Sequence, residues 1–418
     1  MIKAIRGTRD LLPPSTGAWN AVEQTARELF RVYNYQEIRT PLLEPTELFA
    51  RGVGQETDIV TKEMYTFQDR DGSSLSLRPE ATASVIRAYL EHHLDQQPGI
   101  QKLYYIGPMF RRERPQKGRY RQFFQIGAEA VGSDSPAIDA EVIEMVMALF
   151  EKLGMEGQQL VLNSVGCREC RPRYVEALRK ELQTTAPGLC EDCRRRAVTN
   201  PLRVLDCKVE ADQPVLERLP SILDHLCEGC RRHFEAVRRY LAQRGVAFEV
   251  RPRLVRGLDY YTRTTFEVVH GGLGAQNSVL GGGRYDGLAE SLGAKLPAPG
   301  IGFSIGEDRL VMTLEQSRPA LGAHRIDLYM APLDEAAFER CSSMARGLRL
   351  AGRVVELAAP GKLKKALETA NKLQARYTLI VGADELAADL YTLKNMATGE
   401  QTRLSRAQLE SLHRQDLN

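Results

Sequence analysis

YYIGPMFRRERPQKGRYRQFFQIGAEAVG, residues Tyr104 to Gly132, reads as strand, basic loop, strand. Aromatic and β-branched residues fill the first arm, Leu103 to Phe110, and the second arm, Gln122 to Val131, has the same character. Between them stand Arg111, Arg112, Arg114, Lys117, Arg119 and Arg121, relieved only by Glu113, with Pro115 and Gly118 as turn residues. Such a hairpin aims fixed positive charge at one place. Arginine suits a phosphate because it stays charged and offers a planar fork of donors. A solvated charged hairpin accounts for the loop equally well by charge alone. Gln125 and Glu129 favour a binding face, because residues four apart on a strand share one side of the ribbon.

The stretch resembles motif 2 of the class II aminoacyl-tRNA synthetases, specifically the histidyl-tRNA synthetases. Other stretches similar to that family follow in its order: GTRDLLP near the start, RPEAT at Arg78 to Thr82, RGLDYYTRTTFE at Arg256 to Glu267, GGGRYDGL at Gly281 to Leu288, and GIGFSIGEDRL at Gly300 to Leu310. The resemblance covers nearly the whole chain. It implies an α+β fold: the class II antiparallel sheet flanked by helices, with a helical insertion and a C-terminal α/β anticodon-binding domain.

Composition sets wide bounds. A chain of 418 residues with 43% hydrophobic content is globular and holds two or three domains. A net charge of +3 leaves any nucleic-acid affinity to local patches. No apolar run approaches a membrane span and no signal segment opens the chain, so a cytoplasmic enzyme is expected. The eight cysteines are then read as reduced rather than as a disulfide framework.

In chain order, Ser15 is a candidate N-cap for an amphipathic helix carrying Trp19, Val22, Ala26, Leu29, Phe30 and Tyr33. Pro41 and Pro45 confine Ile38 to Phe49 to an edge strand or loop, in a region resembling motif 1, which in the family forms much of the dimer interface. Glu63 to Leu77 reads as a hairpin around Asp71-Gly72, and Asp139 to Leu153 as a helix. Residues 258 to 267 alternate as a strand, with Asp259, Tyr261, Arg263 and Glu267 on one polar face. Where Arg263 stands the family often has glycine, so Arg263 is read as peripheral. Gly281 to Gly283 either let backbone approach a ligand or make a turn. Pro319 to His324 looks like a linker between a catalytic domain, residues 1–318, and an α/β domain, residues 325–418. In the latter, Lys362, Lys364, Lys365 and Lys372 fall on one helical segment, suited to RNA backbone or merely to water.

Residues 163–245 read as an insertion, which in the family lies near the tRNA acceptor arm. It holds three C-x-x-C pairs, Cys167/Cys170, Cys190/Cys193 and Cys227/Cys230, plus Cys207. Two pairs about 20 apart have the spacing of a tetrahedral zinc site, which makes Cys167, Cys170, Cys190 and Cys193 the candidate ligands. Reduced, half-buried thiols on helices are the alternative.

The resemblance also implies roles. Arg111 holds the α-phosphate of ATP, Arg256 stabilises charge there, and Arg309 takes the triphosphate tail, with Arg119 counted among the ATP contacts. Glu80, Thr82 and Gln125 hold the α-amino group of histidine. Glu129 and Tyr261 hold its imidazole, with Tyr260 in the same set. The family usually has Glu where Asp308 stands. The implied partners are ATP with Mg2+, L-histidine, tRNA(His) and a second copy in a homodimer. A non-catalytic regulatory subunit of histidine biosynthesis, similar in fold, is the rival; it lacks the C-terminal domain and several matched residues, all present here.

Overall fold

The two arms of the basic hairpin form ten-residue strands paired antiparallel from Gln101↔Val131 to Phe110↔Gln122. They lie in a computed structural model that describes residues 2–116, 118–272 and 278–411 and divides into two compact units at Gly322/Ala323. Lys117 of the basic loop lies outside the described residues.

Strands of the first unit, in chain order, are β1 (Gln36–Glu37), β2 (Leu43–Pro45), β3 (Tyr65–Gln68), β4 (Ser74–Leu77), β5 (Gln101–Phe110), β6 (Gln122–Val131), β7 (Gln158–Ser164), β8 (Glu249–Val250), β9 (Thr262–His270), β10 (Ser278–Arg284) and β11 (Gly300–Gly306). Eight form one sheet ordered β1-β5-β6-β11-β10-β9-β7-β8, antiparallel except for the outermost pairs. The Asp71-Gly72 hairpin and β2 make a separate three-stranded sheet, β2-β4-β3.

One face of the large sheet is packed with apolar side chains, as period-two alternation requires. Ile126, Phe266, Ile301 and Phe303 meet helices Thr16–Val32, Pro136–Lys152 and Glu307–Ser317 in one core. Phe30 stacks on Tyr104 at 4.7 Å. Burying each such side chain contributes about 1.5–3 kcal/mol. Ser15 does not cap the first helix: its own backbone is helical and its hydroxyl donates to Leu12 O. Ser135 does cap the helix Pro136–Lys152.

The strand expected over residues 258–267 begins only at Thr262. Arg263 takes φ +50°, and the register against β10 slips between Gly283 and Arg284, so alternation is reset just after the tyrosine pair. Glycine adopts that backbone freely and arginine does not.

Between β7 and β8 the chain is helical, with Cys170–Thr185 and Glu228–Gln243 the long elements. His233 on the latter and Arg284 on β10 both grip the buried Asp139, at 2.8 and 2.7 Å. Burial alone would raise the Asp139 carboxyl; the His233 hydrogen bond and the Arg284 charge hold it low.

The second unit is a mixed sheet. Its strands are β12 (Leu328–Pro332), β13 (Val355–Leu357), β14 (Tyr377–Val381), β15 (Leu390–Asn395) and β16 (Gln401–Ser405), ordered β13-β12-β14-β15-β16. The first three are parallel and the rest antiparallel. Among the described residues, no helix is long and apolar enough to cross a membrane.

Glu307, at the start of the helix Glu307–Ser317, is fully buried, and neither carboxylate oxygen has a hydrogen-bond partner. Burial, then the nearby Glu23 and Asp308 charges, push its carboxyl up to about 9 from 4.5. Above 4.5 the folded state therefore holds a proton that the unfolded chain has lost. Stability falls as pH rises through that window, by at most about 1.4 kcal/mol per pH unit from this group. Glu307→Gln is expected to match the parent near pH 5 and to melt several degrees higher near pH 9, read by circular dichroism.

Candidate active site

The sheet face opposite the core carries few upright side chains. Gly281, Gly283 and Gly302 fall on it in register with Glu267, Thr265 and Glu129, and Gly127 stands opposite Ser304. Each glycine leaves room for a side chain lying flat. A Cβ on Gly281 would sit 1.6 Å from the Arg256 guanidinium, and one on Gly302 would sit 1.7 Å from Glu129 Oε2. One on Gly283 would meet the Tyr261 ring at 2.8 Å and one on Gly127 the Tyr105 ring at 2.3 Å. Gly281 to Gly283 thus belong to a central strand, and the close approach is by the protein's own side chains.

Above this floor is a cavity of about 410 Å³. Arg111, Arg119, Arg256 and Arg309 line it, and so do Glu80, Thr82, Gln125, Tyr260 and Tyr261. The basic loop, the segment before β9 and the last helix of the unit therefore bring guanidinium groups to one place. Arg111 is held by Pro79 O at 2.9 Å and lies over the Phe123 ring. Arg119 pairs with Glu113 at 2.9 Å, and Arg256 pairs with Glu267 at 3.1 Å. Arg309 donates to Ser278 O at 2.8 Å. Burial, then the Arg119 charge, lower the pKa of Arg309.

The polar end is built on the start of the helix Thr82–Glu91. Glu80 accepts the backbone N–H groups of Thr82 and Ala83 at 2.8 and 2.9 Å, which is ordinary N-terminal capping as well as site formation. Burial raises its carboxyl against those donors. Gln125 is buried and its Oε1 is unpartnered. Tyr260 and Tyr261 both face the cavity with rings 4.7 Å apart, which strict alternation forbids and the irregular backbone before Thr262 permits.

Glu129 lies one layer beneath the cavity surface and is wholly buried. Its oxygens accept from Thr82 Oγ1 at 2.7 Å and Tyr285 OH at 2.6 Å, and both donors line the cavity. Burial pushes its carboxyl up to about 8. Tyr285 is a site residue that sequence reasoning did not single out. It stands in the motif GGGRYDGL, where local pattern does not distinguish a tyrosine of the cavity wall from one of the core.

Asp308 also does more than its neighbour Arg309 suggested. Its carboxylate accepts the Phe124 N–H at 3.0 Å and binds Arg9 at 2.8 Å on the cavity rim. Arg9 lies over the Tyr120 ring at 4.1 Å, and Arg121 donates to the carbonyls of Arg6 and Gly7. Residues 6–9 thus strap the basic loop to the last helix. Arg263 stays at the periphery, 3.8 Å from Asp286.

The cysteines do not combine as their spacing suggested. Cys167 and Cys170 meet Cys227 and Cys230, whereas Cys190 and Cys193 meet Cys207 and Asp212. Cys167, Cys170, Cys190 and Cys193 are therefore not one ligand set. The reason is the 16-residue helix Cys170–Thr185, which carries the chain about 24 Å at 1.5 Å per residue.

A family model described as histidyl-tRNA synthetase matches residues 7–310, and one described as an anticodon binding domain matches residues 327–415. The chain is 69% identical to a histidine–tRNA ligase of Solibacter usitatus, over 98% of each chain. It is 57% identical to a histidine–tRNA ligase of Koribacter versatilis, over 98% of this chain and 95% of that one. The apo crystal structure of the Staphylococcus aureus histidyl-tRNA synthetase superposes with a TM-score of 0.80 at 37% identity, covering 98% and 99% of the two chains.

The Thr82–Glu129–Tyr285 chain generates a test. Tyr285→Phe removes a donor that favours the ionised carboxylate. The variant is expected to lose about 1–3 kcal/mol of stability near pH 9, where Glu129 is charged, and less near pH 6. Urea unfolding at the two pH values measures the difference.

Proposed function

The chain belongs to the histidyl-tRNA synthetase family, and from that premise we propose that it ligates L-histidine to tRNA(His) in two steps at this cavity. In the first, a carboxylate oxygen of histidine bonds to the α-phosphorus of ATP, the bond to the bridging oxygen breaks, and pyrophosphate leaves. In the second, a terminal ribose hydroxyl of the tRNA attacks the acyl carbon and AMP leaves. The observation that carries this reading is the convergence of Arg111, Arg256 and Arg309, from three separated stretches, beside a slot of acidic and phenolic groups.

Phosphoryl substitution asks mainly for positioning and charge stabilisation. Arg111 and Arg256 act on the α-phosphate, and Arg309 and Arg119 on the rest of the triphosphate. Until ATP arrives, Glu267 and Glu113 neutralise Arg256 and Arg119. A Mg2+ ion brought with the nucleotide would supply charge neutralisation on the phosphates and would keep several of its waters. Glu267 and Glu113 are the oxygen donors on that side suited to those waters.

Glu80 and Gln125, with its open Oε1, take the α-amino group, and Thr82 orients Glu80 and Glu129 together. Glu129, one layer down, acts on the imidazole through the Thr82 and Tyr285 hydroxyls that it holds, while Tyr261 meets the ring directly and Tyr260 walls the slot. An apolar side chain would leave these groups unpaired, which discriminates strongly.

The insertion faces the acceptor arm, and the C-terminal unit reads the anticodon end with exposed Lys362, Lys364, Lys365 and Lys372 against the RNA backbone. A cytoplasmic homodimer completes the proposal. Exposed Leu42, Leu43 and Phe67, on and beside the small sheet, support a partner surface there.

Histidine-dependent ATP–pyrophosphate exchange tests the reading; fresh protein without exchange would point instead to a regulatory subunit. Arg256→Ala is expected to cost about 3 kcal/mol in the barrier, roughly a hundredfold in exchange, with histidine affinity nearly unchanged. Equal loss of histidine affinity would refute that role. Gly281→Ala, which displaces the same guanidinium, should reduce exchange in the same way and add little to Arg256→Ala in the double variant.

A further inference from the structure

All seven cysteines of the insertion line one small core of residues 167–230, whose secondary structure is the single long helix Cys170–Thr185 followed by short helices and single turns up to the start of the helix Glu228–Gln243. A core of that size rarely holds a fold by burial alone. We propose that two separate structural metal centres of the zinc class staple it: one on Cys167, Cys170, Cys227 and Cys230, the other on Cys190, Cys193, Cys207 and Asp212.

The geometry of the first set is that of a coordination shell. Cys167 Sγ lies 3.7 Å from Cys170 Sγ and 3.8 Å from Cys227 Sγ, and Cys170 Sγ lies 3.8 Å from Cys230 Sγ. Four sulfurs tetrahedrally placed about 2.3 Å from an ion are about 3.8 Å apart. The two C-x-x-C pairs straddle the starts of the helices Cys170–Thr185 and Glu228–Gln243, where the dipole favours thiolate. Backbone N–H groups of Cys167 and Glu169 donate to Cys170 Sγ and Cys167 Sγ at 3.1 and 3.4 Å. Gly166, at φ +68°, makes the tight turn possible: a Cβ there would lie 2.7 Å from Cys170 Sγ.

The second set has its own donors. Cys190 Sγ and Cys207 Sγ are 3.9 Å apart, and Cys207 Sγ is 3.2 Å from Asp212 Oδ2. Asp212 is 3% exposed and is aimed into the cluster, accepting the Cys190 N–H at 3.1 Å. Its Oδ2 also accepts the Cys207 thiol at 3.2 Å, so the carboxylate stands where an oxygen ligand beside three sulfurs would be needed. In each set all four ligand atoms lie within 4.8 Å of one another.

Both centres bear on the cavity. The backbone of Val165 and Gly166, next to the first set, pairs with Arg263 of β9 at 2.8 Å. Arg171 ties Val165 O to the backbone carbonyl of Tyr261. Asp206 and Lys208, which flank Cys207, line the cavity themselves. The metals would thus fix the wall that the insertion contributes.

The test uses the full chain, purified with zinc supplied and then desalted. Two zinc ions per chain by mass spectrometry, with the seven insertion thiols protected from a thiol reagent until a mercurial or chelator is added, is the expected result. Cobalt substitution should give sulfur-to-metal charge-transfer bands at two equivalents. Cys230→Ser and Cys207→Ser should each lower the count from two to one, and chelation should lower the melting temperature. One ion or none in the parent, freely reacting thiols, or disulfides in their place would overturn the proposal. So would loss of both ions from either single substitution. If the variants fail to fold, the parent's ion count and cobalt titration decide alone.

Discussion

A β-sheet face normally raises a side chain at every second residue, and a ligand resting on it would meet a row of upright groups. Here the rows crossing β6, β11 and β10 are interrupted by Gly127, Gly302, Gly281 and Gly283. Large polar groups can then recline on the backbone: Arg256 across Gly281, Tyr261 against Gly283, Glu129 over Gly302. The depth of the cavity and the height of its charged groups both follow from those missing Cβ atoms. The price is rigidity of sequence at positions that carry no functional atom.

Crowded guanidinium groups create a second requirement. Four arginines on one cavity repel one another, and the fold offsets this with Glu113, within ion-pair distance of both Arg111 and Arg119, and Glu267, paired with Arg256. At the other end, burial raises the carboxyls of both Glu80 and Glu129, that of Glu129 to about 8. The site therefore tolerates its own charge, and an anion binding there would exchange partners rather than meet bare cations.

Much of this was readable in residue order. The basic hairpin, the helix on Trp19 and Phe30, and the mixed sheet of the second unit all announce themselves through local pattern, and the converging arginines follow from the family resemblance. What was not readable depended on tertiary closure. Alternation from Leu258 onward put Tyr260 and Tyr261 on opposite faces, because nothing local marks the positive φ at Arg263. Cysteine spacing paired the wrong thiols, because the linear count ignored a rigid helix between them. Tyr285 and Asp308 act on partners 156 and 184 residues away, distances at which sequence pattern carries no information.

The strap formed by residues 6–9 has a practical consequence. Arg9 grips Asp308, and the carbonyls of Arg6 and Gly7 hold the basic loop through Arg121. The first few residues of the chain are therefore mechanically linked to the cavity rim, close to Arg119 and Arg309. A purification handle or fusion partner joined at that end would tug on the loop, whereas the same addition beyond the second unit's last strand attaches far along the chain from every residue of the strap.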